Sequence, residues 1–186
     1  MSTTTITFVL VCSLAVLLPA CGGNEDPQPS AGGGDTLAFQ DGEMPFGGFG
    51  VSSGQPSKIR IQEIAPNVAK VVSFRGADEN KEFDEAAVVA EAGGAFESIP
   101  FAKANMKAML SDPEERKKAY AAFEVAMGNT SKMTWFHCGS GNRVGALWAL
   151  YRAEVEKKPI EEAIADGKTA GLTKLEPLVR EILEAK

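Results

Sequence analysis

A three-layer α/β domain, with a mainly parallel sheet flanked by helices, is the fold class this sequence predicts, on three observations. Short β-branched or aromatic runs alternate with helical patterns from about residue 46 onward. Each run is bounded by Gly, Pro, Asp or Ser turn signals. One of them, KMTWFH (132–137), feeds a glycine-containing loop that opens an apolar helix. That join places a reactive loop at the carboxyl end of a strand, where parallel sheets bind their ligands.

Taken in order, FGGFGVSSGQP holds a short strand around 49–52 that ends in turn residues. Ser57 is placed to cap a helix over 58–65, which Pro66 limits. VAKVVSF (68–74) reads as a buried strand, EFDEAAVVAEAGG (82–94) as an amphipathic helix stopped by Gly93 and Gly94, and AFESIP (95–100) as another strand. Between Lys103 and Gly128 the apolar spacing is helical, but Asp112 and Pro113 interrupt it, which predicts two helices. After the 132–137 strand and its loop come helices over about 144–157 and 160–166. A third starts at Thr173, with Glu176 completing a capping box.

The first 45 residues are of a different kind. Residues 1–20 carry no charged side chain, and Ile6–Leu18 is apolar apart from Thr7, Cys12 and Ser13. The run is too short to span a bilayer stably and has the length of a signal-peptide core. It ends in LPAC (18–21), which resembles the lipobox of bacterial lipoproteins, although no Lys or Arg precedes the apolar run. The resemblance implies that Cys21 is lipidated and anchors the protein to a membrane. Gly22 rather than Asp after it implies the outer membrane, facing the periplasm. Residues 21–45 are rich in Gly, Pro and acids and read as a flexible tether, leaving 46–186 as the folded domain.

Charge and cysteine usage narrow the function. Net charge is -6; all 19 Lys and Arg lie at or beyond Lys58, together with 20 of the 25 acids, so the domain is close to neutral. No basic field exists for a nucleic acid backbone. Of the three cysteines, Cys12 leaves with the signal and Cys21 is taken by lipid, so Cys138 has no partner. An unpaired thiol in an oxidising compartment is a liability unless it is buried or used. One His and no Cys pair argue against a metal site, and no cofactor motif is present.

The loop HCGSGNR (137–143) has the ingredients of an anion-binding nucleophile. A strand, a Gly-containing turn and a helix N-terminus aim backbone N–H groups at one point, where the helix dipole adds to the attraction for anions. Helix N-termini favour the thiolate, the nucleophilic form of cysteine, which is the reason to single out Cys138. Gly139 and Gly141 let the backbone turn tightly, with Ser140 and Asn142 between and after them. Arg143 can offer a bidentate fork to a tetrahedral oxyanion. His137 reads as a residue that hydrogen-bonds backbone and orients the loop, not as a base. Trp135 and Trp148, on either side, read as core.

HCGSGNRVGALWALYRA, with SSGQPS (52–57), VVSFRG (71–76) and AGGAFESIPF (92–101), resembles the bacterial phosphatase-like domain of beta-lactamase hydrolase-like proteins, related to dual-specificity cysteine phosphatases. The resemblance covers roughly residues 46–157. It implies a cysteine-phosphatase-like fold with Cys138 as nucleophile, Arg143 as the phosphate-binding arginine and residues 139–142 as the cradle. Arg75 matches a recurrent arginine of the family, without an implied role.

Three features depart from that pattern. Four residues separate Cys138 from Arg143 where most cysteine phosphatases have five. Val144 stands where a hydroxyl residue usually follows the arginine. The general-acid Asp expected after the IP of 99–100 is missing from IPFAKAN. Without an acid to protonate the leaving oxygen, hydrolysis of a phosphomonoester loses a factor on the order of 100. Asp78, Glu79 and Glu82 lie in the turn after Arg75, where they read as a solvated turn or as substitute donors.

The spacing CGSGNR is also similar to that of rhodaneses, sulfurtransferases that carry a persulfide on the loop cysteine. Three readings stay open: a cysteine phosphatase acting on a phosphorylated substrate, a sulfurtransferase using a sulfur donor, and an inactive module that binds phosphate or sulfate.

Overall fold

The computed structural model describes residues 37–46, 48–79, 82–129 and 131–185, so the expected signal peptide, Cys21 and most of the expected tether lie outside the described residues. Among the described residues five strands occur in chain order: β1 (Glu43–Phe46), β2 (Phe49–Ser52), β3 (Lys70–Ser73), β4 (Phe96–Ser98) and β5 (Thr134–His137). They form one sheet in the order β1-β2-β5-β3-β4, parallel except for β1, which pairs antiparallel with β2 at the edge. The register aligns the carboxyl ends: Ser52 and Ser73 flank His137, and Ser98 lies beyond Ser73. This is the mainly parallel α/β sheet the sequence predicts.

Seven α-helices are described: α1 (Lys58–Ile64), α2 (Glu85–Glu91), α3 (Met106–Ser111), α4 (Pro113–Gly128), α5 (Asn142–Glu154), α6 (Ile160–Thr169) and α7 (Glu176–Glu184). The Ser57 hydroxyl caps α1 through the Arg60 N–H. Asp112 ends α3, and its carboxylate caps α4 at the Glu114 N–H, with Pro113 at the first helical position, where its missing N–H costs nothing. Asp112 is thus a structural cap.

Strand alternation divides the core. On one face α1 and α2 bury Ile61, Ile64, Val71, Val88, Val89 and Trp135; on the other, α3 to α7 cover Val51, Val72, Phe136 and Cys138. Both tryptophans are core residues, as expected, at 0% and 3% exposure. Helix α5 is buried continuously from Arg143 to Tyr151, hence apolar all round and flanked on several sides. Fully buried Arg116 of α4 ties down its far end through Glu154, whose Oε1 lies 2.6 Å from Nη2.

Two sequence expectations are corrected. The folded domain begins earlier than residue 46: Phe39 stacks on Trp135 with ring centroids 5.3 Å apart, Glu43 lies 2.6 Å from Arg60, and Met44–Phe46 belong to β1. An edge strand tolerates Pro45, and its Gly- and acid-rich flank hid it. The capping box at Thr173 does not form: α7 starts at Glu176 behind Leu175 with no side-chain cap. Glu176 is engaged instead by Lys168 and Arg180.

Gly145 fixes how closely α5 meets the segment after α6. A Cβ there would lie 2.1 Å from the Leu172 nitrogen and 2.5 Å from the Gly167 oxygen, both main chain. Gly145→Ala is therefore expected to cost about 3 kcal/mol or more. A melting curve should show a Tm lower by roughly 10 °C.

Candidate functional site

The site is built where β5 runs out. His137 ends the strand, Cys138 follows it, and Gly141, at φ 71°, turns the chain into α5. A side chain at this left-handed position would be strained and would crowd Ser53 at 3.1 Å. Helix α5 has no side-chain cap, so the N–H groups of its first turn are not consumed by one. Gly139 and Ser140 are exposed, whereas Cys138 is fully buried and belongs to the same core cluster as Phe136 and Val144.

Arg143 sits in the first turn of α5, 7% exposed, and its partners come from two other loops. Nη1 donates to the carbonyls of Phe74 and Phe101, each at 3.0 Å, and to Glu79 Oε1 at 2.8 Å; Nη2 donates to Glu79 Oε2 at 2.5 Å. Glu79 therefore grips the outer edge of the guanidinium. The other edge, formed by Nε and the second Nη2 proton, has no hydrogen-bond partner among the described residues. Nη2 lies 3.2 Å from the point a Cβ of Gly139 would occupy, so this edge adjoins the cysteine loop. A planar fork held on one side offers its opposite side to a tetrahedral oxyanion.

Glu79 is itself fixed. It accepts from the backbone N–H groups of Gly76 at 3.0 Å and Lys103 at 3.1 Å, and its own N–H closes a turn onto the Gly76 carbonyl. Burial raises its pKa, but the hydrogen bonds from Arg143 and those two amides outweigh it and bring the carboxyl down to about 2. The ionised form therefore adds stability that is complete above the ordinary value of 4.5 and lost as pH falls toward about 2. In melts recorded from neutral pH down to about 2, Glu79→Gln is expected to lack this part of the acid transition.

Arg75 bridges the loops on both sides of β5. It donates to Gln55 Oε1 after β2 and to the Glu79 carbonyl after β3. It thereby braces the residue that holds Arg143.

Two expected roles change. His137 does not hydrogen-bond backbone: its Nε2 lies 2.6 Å from Glu85 Oε1 of α2, out of line for a hydrogen bond, and both groups are buried. Strand alternation puts its ring on the α1/α2 face, opposite the Cys138 side chain. The Asn142 side chain does not face the loop's anion position. Its Oδ1 accepts from the N–H groups of Thr173 and Leu175 at 2.8 and 3.2 Å and fastens the α6–α7 connection. Among the described residues, no group of three or more His, Cys, Asp or Glu is placed to hold a metal.

No protein-family model and no curated protein matches the chain by sequence. Solved structures do. Tk-PTP in its active form matches with a TM-score of 0.60 and 15% identity, covering 80% of this chain and 100% of that one. Kinase-associated phosphatase, with serine in place of its catalytic-site cysteine, matches with 0.57 and 13% over 74% of this chain and 88% of that one. A candidate phosphatase from Neisseria meningitidis gives 0.54 and 20% over 74% and 93%. The chain thus has the fold of cysteine phosphatases, which is what the sequence resemblance implies.

Proposed function

We propose that this chain, built on the cysteine-phosphatase fold, is a cysteine-dependent phosphatase-like hydrolase, exported and held at a membrane through a lipidated Cys21. The supporting observation is the one-sided grip on Arg143: Glu79 takes the outer edge of the guanidinium, and the free edge adjoins the turn between Cys138 and α5. A bound phosphoryl group would accept from that edge and from the amides of 139–143, and the Cys138 thiolate would attack its phosphorus in line. The phosphocysteine is then cleaved by water. Cys138 has no exposed surface, and the exposed Gly139–Ser140 segment is the part of the loop that lies between it and solvent along the chain, so substrate entry in this reading involves a shift of that segment.

Sulfur transfer is the second reading, favoured by the four-residue loop and by the lack of a carboxylate from Phe101 to Asn105. Assaying one preparation for phosphate release from an aryl phosphate, and for thiocyanate from thiosulfate and cyanide, separates the two. Phosphate release is the expected result. Thiocyanate alone transfers the protein to the sulfurtransferases, and neither product leaves an anion-binding module.

A further inference from the structure

A phosphomonoester with a poor leaving group needs a proton at the departing oxygen, and the loop after β4 offers no carboxylate to give it. The nearby acids sort themselves by their partners. Glu79 is locked onto Arg143 and stays ionised, Asp84 caps α2 at the Ala87 N–H, and Glu85 is buried against His137 on the opposite face of the sheet. Glu82 is exposed and makes no hydrogen bond or ion pair among the described residues.

Asp78 differs from all of these. It lies in the tight turn that Glu79 closes onto Gly76, one residue from the carboxylate that grips Arg143. It is exposed and makes no hydrogen bond or ion pair among the described residues. Its side chain folds back over Gly76: Oδ1 lies 3.1 Å from the position a Cβ of Gly76 would take. Glu79 Oε1 and the Ala102 methyl each lie 3.2 Å from that same point. The Asp78 Oδ1 thus lies no more than about 6.3 Å from the Ala102 methyl, on the loop after β4, and from the Glu79 carboxylate that clamps Arg143. Glu79 also accepts from the Lys103 amide, which joins the loop after β3 to the loop after β4.

We propose that Asp78 is the proton donor to the leaving group, supplied from the loop after β3 in place of the absent acid after β4; the assignment rests on the phosphatase reading. In the first step the Cys138 sulfur bonds to phosphorus, the bond from phosphorus to the leaving oxygen breaks, and that oxygen takes the Asp78 proton. In the second, the Asp78 carboxylate takes a proton from the attacking water, whose oxygen bonds to phosphorus as the S–P bond breaks and the thiolate returns.

The test is leaving-group dependence in the wild type, Asp78→Asn and Asp78→Glu. With phenyl phosphate, kcat/KM of Asp78→Asn is expected to fall about 100-fold. With p-nitrophenyl phosphate, whose leaving group departs as a stable anion, the loss is expected to be severalfold at most, and Asp78→Glu should recover part of the phenyl phosphate rate. Equal losses on both substrates, or no loss on either, in a protein that turns both over would overturn the donor alone. A wild type that neither releases phosphate nor phosphorylates Cys138 overturns the phosphatase reading, and the donor with it.

Discussion

Cys138→Ser is expected to abolish aryl phosphate turnover, by a factor on the order of 10⁴ or more, while leaving phosphate binding nearly unchanged. Serine is close in shape at this fully buried position, so the surrounding core is expected to keep its packing. What is lost is the proposed sulfur nucleophile, because an alcohol does not ionise at neutral pH. The Arg143 edge and the first-turn amides of α5 are untouched, so the variant remains an anion binder. Turnover together with phosphate-induced stabilisation in a thermal melt checks both halves. Retained turnover would sink the sulfurtransferase reading as well.

Arg143→Lys carries the second large effect. Lysine keeps the charge but is a point donor and cannot be gripped by Glu79 on one edge while presenting another to an anion. It also takes the guanidinium donor from the Phe101 carbonyl and one of two donors from the Phe74 carbonyl, which keeps the Phe101 N–H. Losing one charge-assisted hydrogen bond to the ligand is worth about 2 kcal/mol, or roughly thirtyfold in the Kd for phosphate. Calorimetric titration should show that loss even though net charge is preserved. Equal affinity in the two proteins would mean that the fork is not what holds the anion.

The chain organisation was legible because it rests on local signals: Ser57 as a cap, Asp112 and Pro113 as the break between two helices, and the 132–137 run as the strand that leads into the cysteine loop. Cys138, Gly141 and Arg143 were also readable, since all three lie within six residues. The support around them was not. Arg143 is separated from Glu79 by 64 positions, and Glu85 meets His137 across the sheet. Nothing in a solvated-looking run of acids says which one is clamped, which one is a cap and which one is left unpaired. Asn142 shows the opposite error: its place in the loop suggested ligand binding, but its side chain fastens a connection contributed 31 residues later. The position of β1 was obscured for a third reason, because an edge strand with a proline needs only its partner and not a strand-like composition.

The central claim, that Cys138 attacks phosphorus, is tested most directly by the intact mass of the purified protein, acid-quenched within seconds of mixing with an aryl phosphate and mapped by peptide fragmentation. The account predicts a phosphoryl adduct on Cys138 that disappears in Cys138→Ser. Phosphate released without an adduct on that cysteine, or an adduct consisting of a single sulfur atom after thiosulfate and none after the phosphate ester, would contradict it.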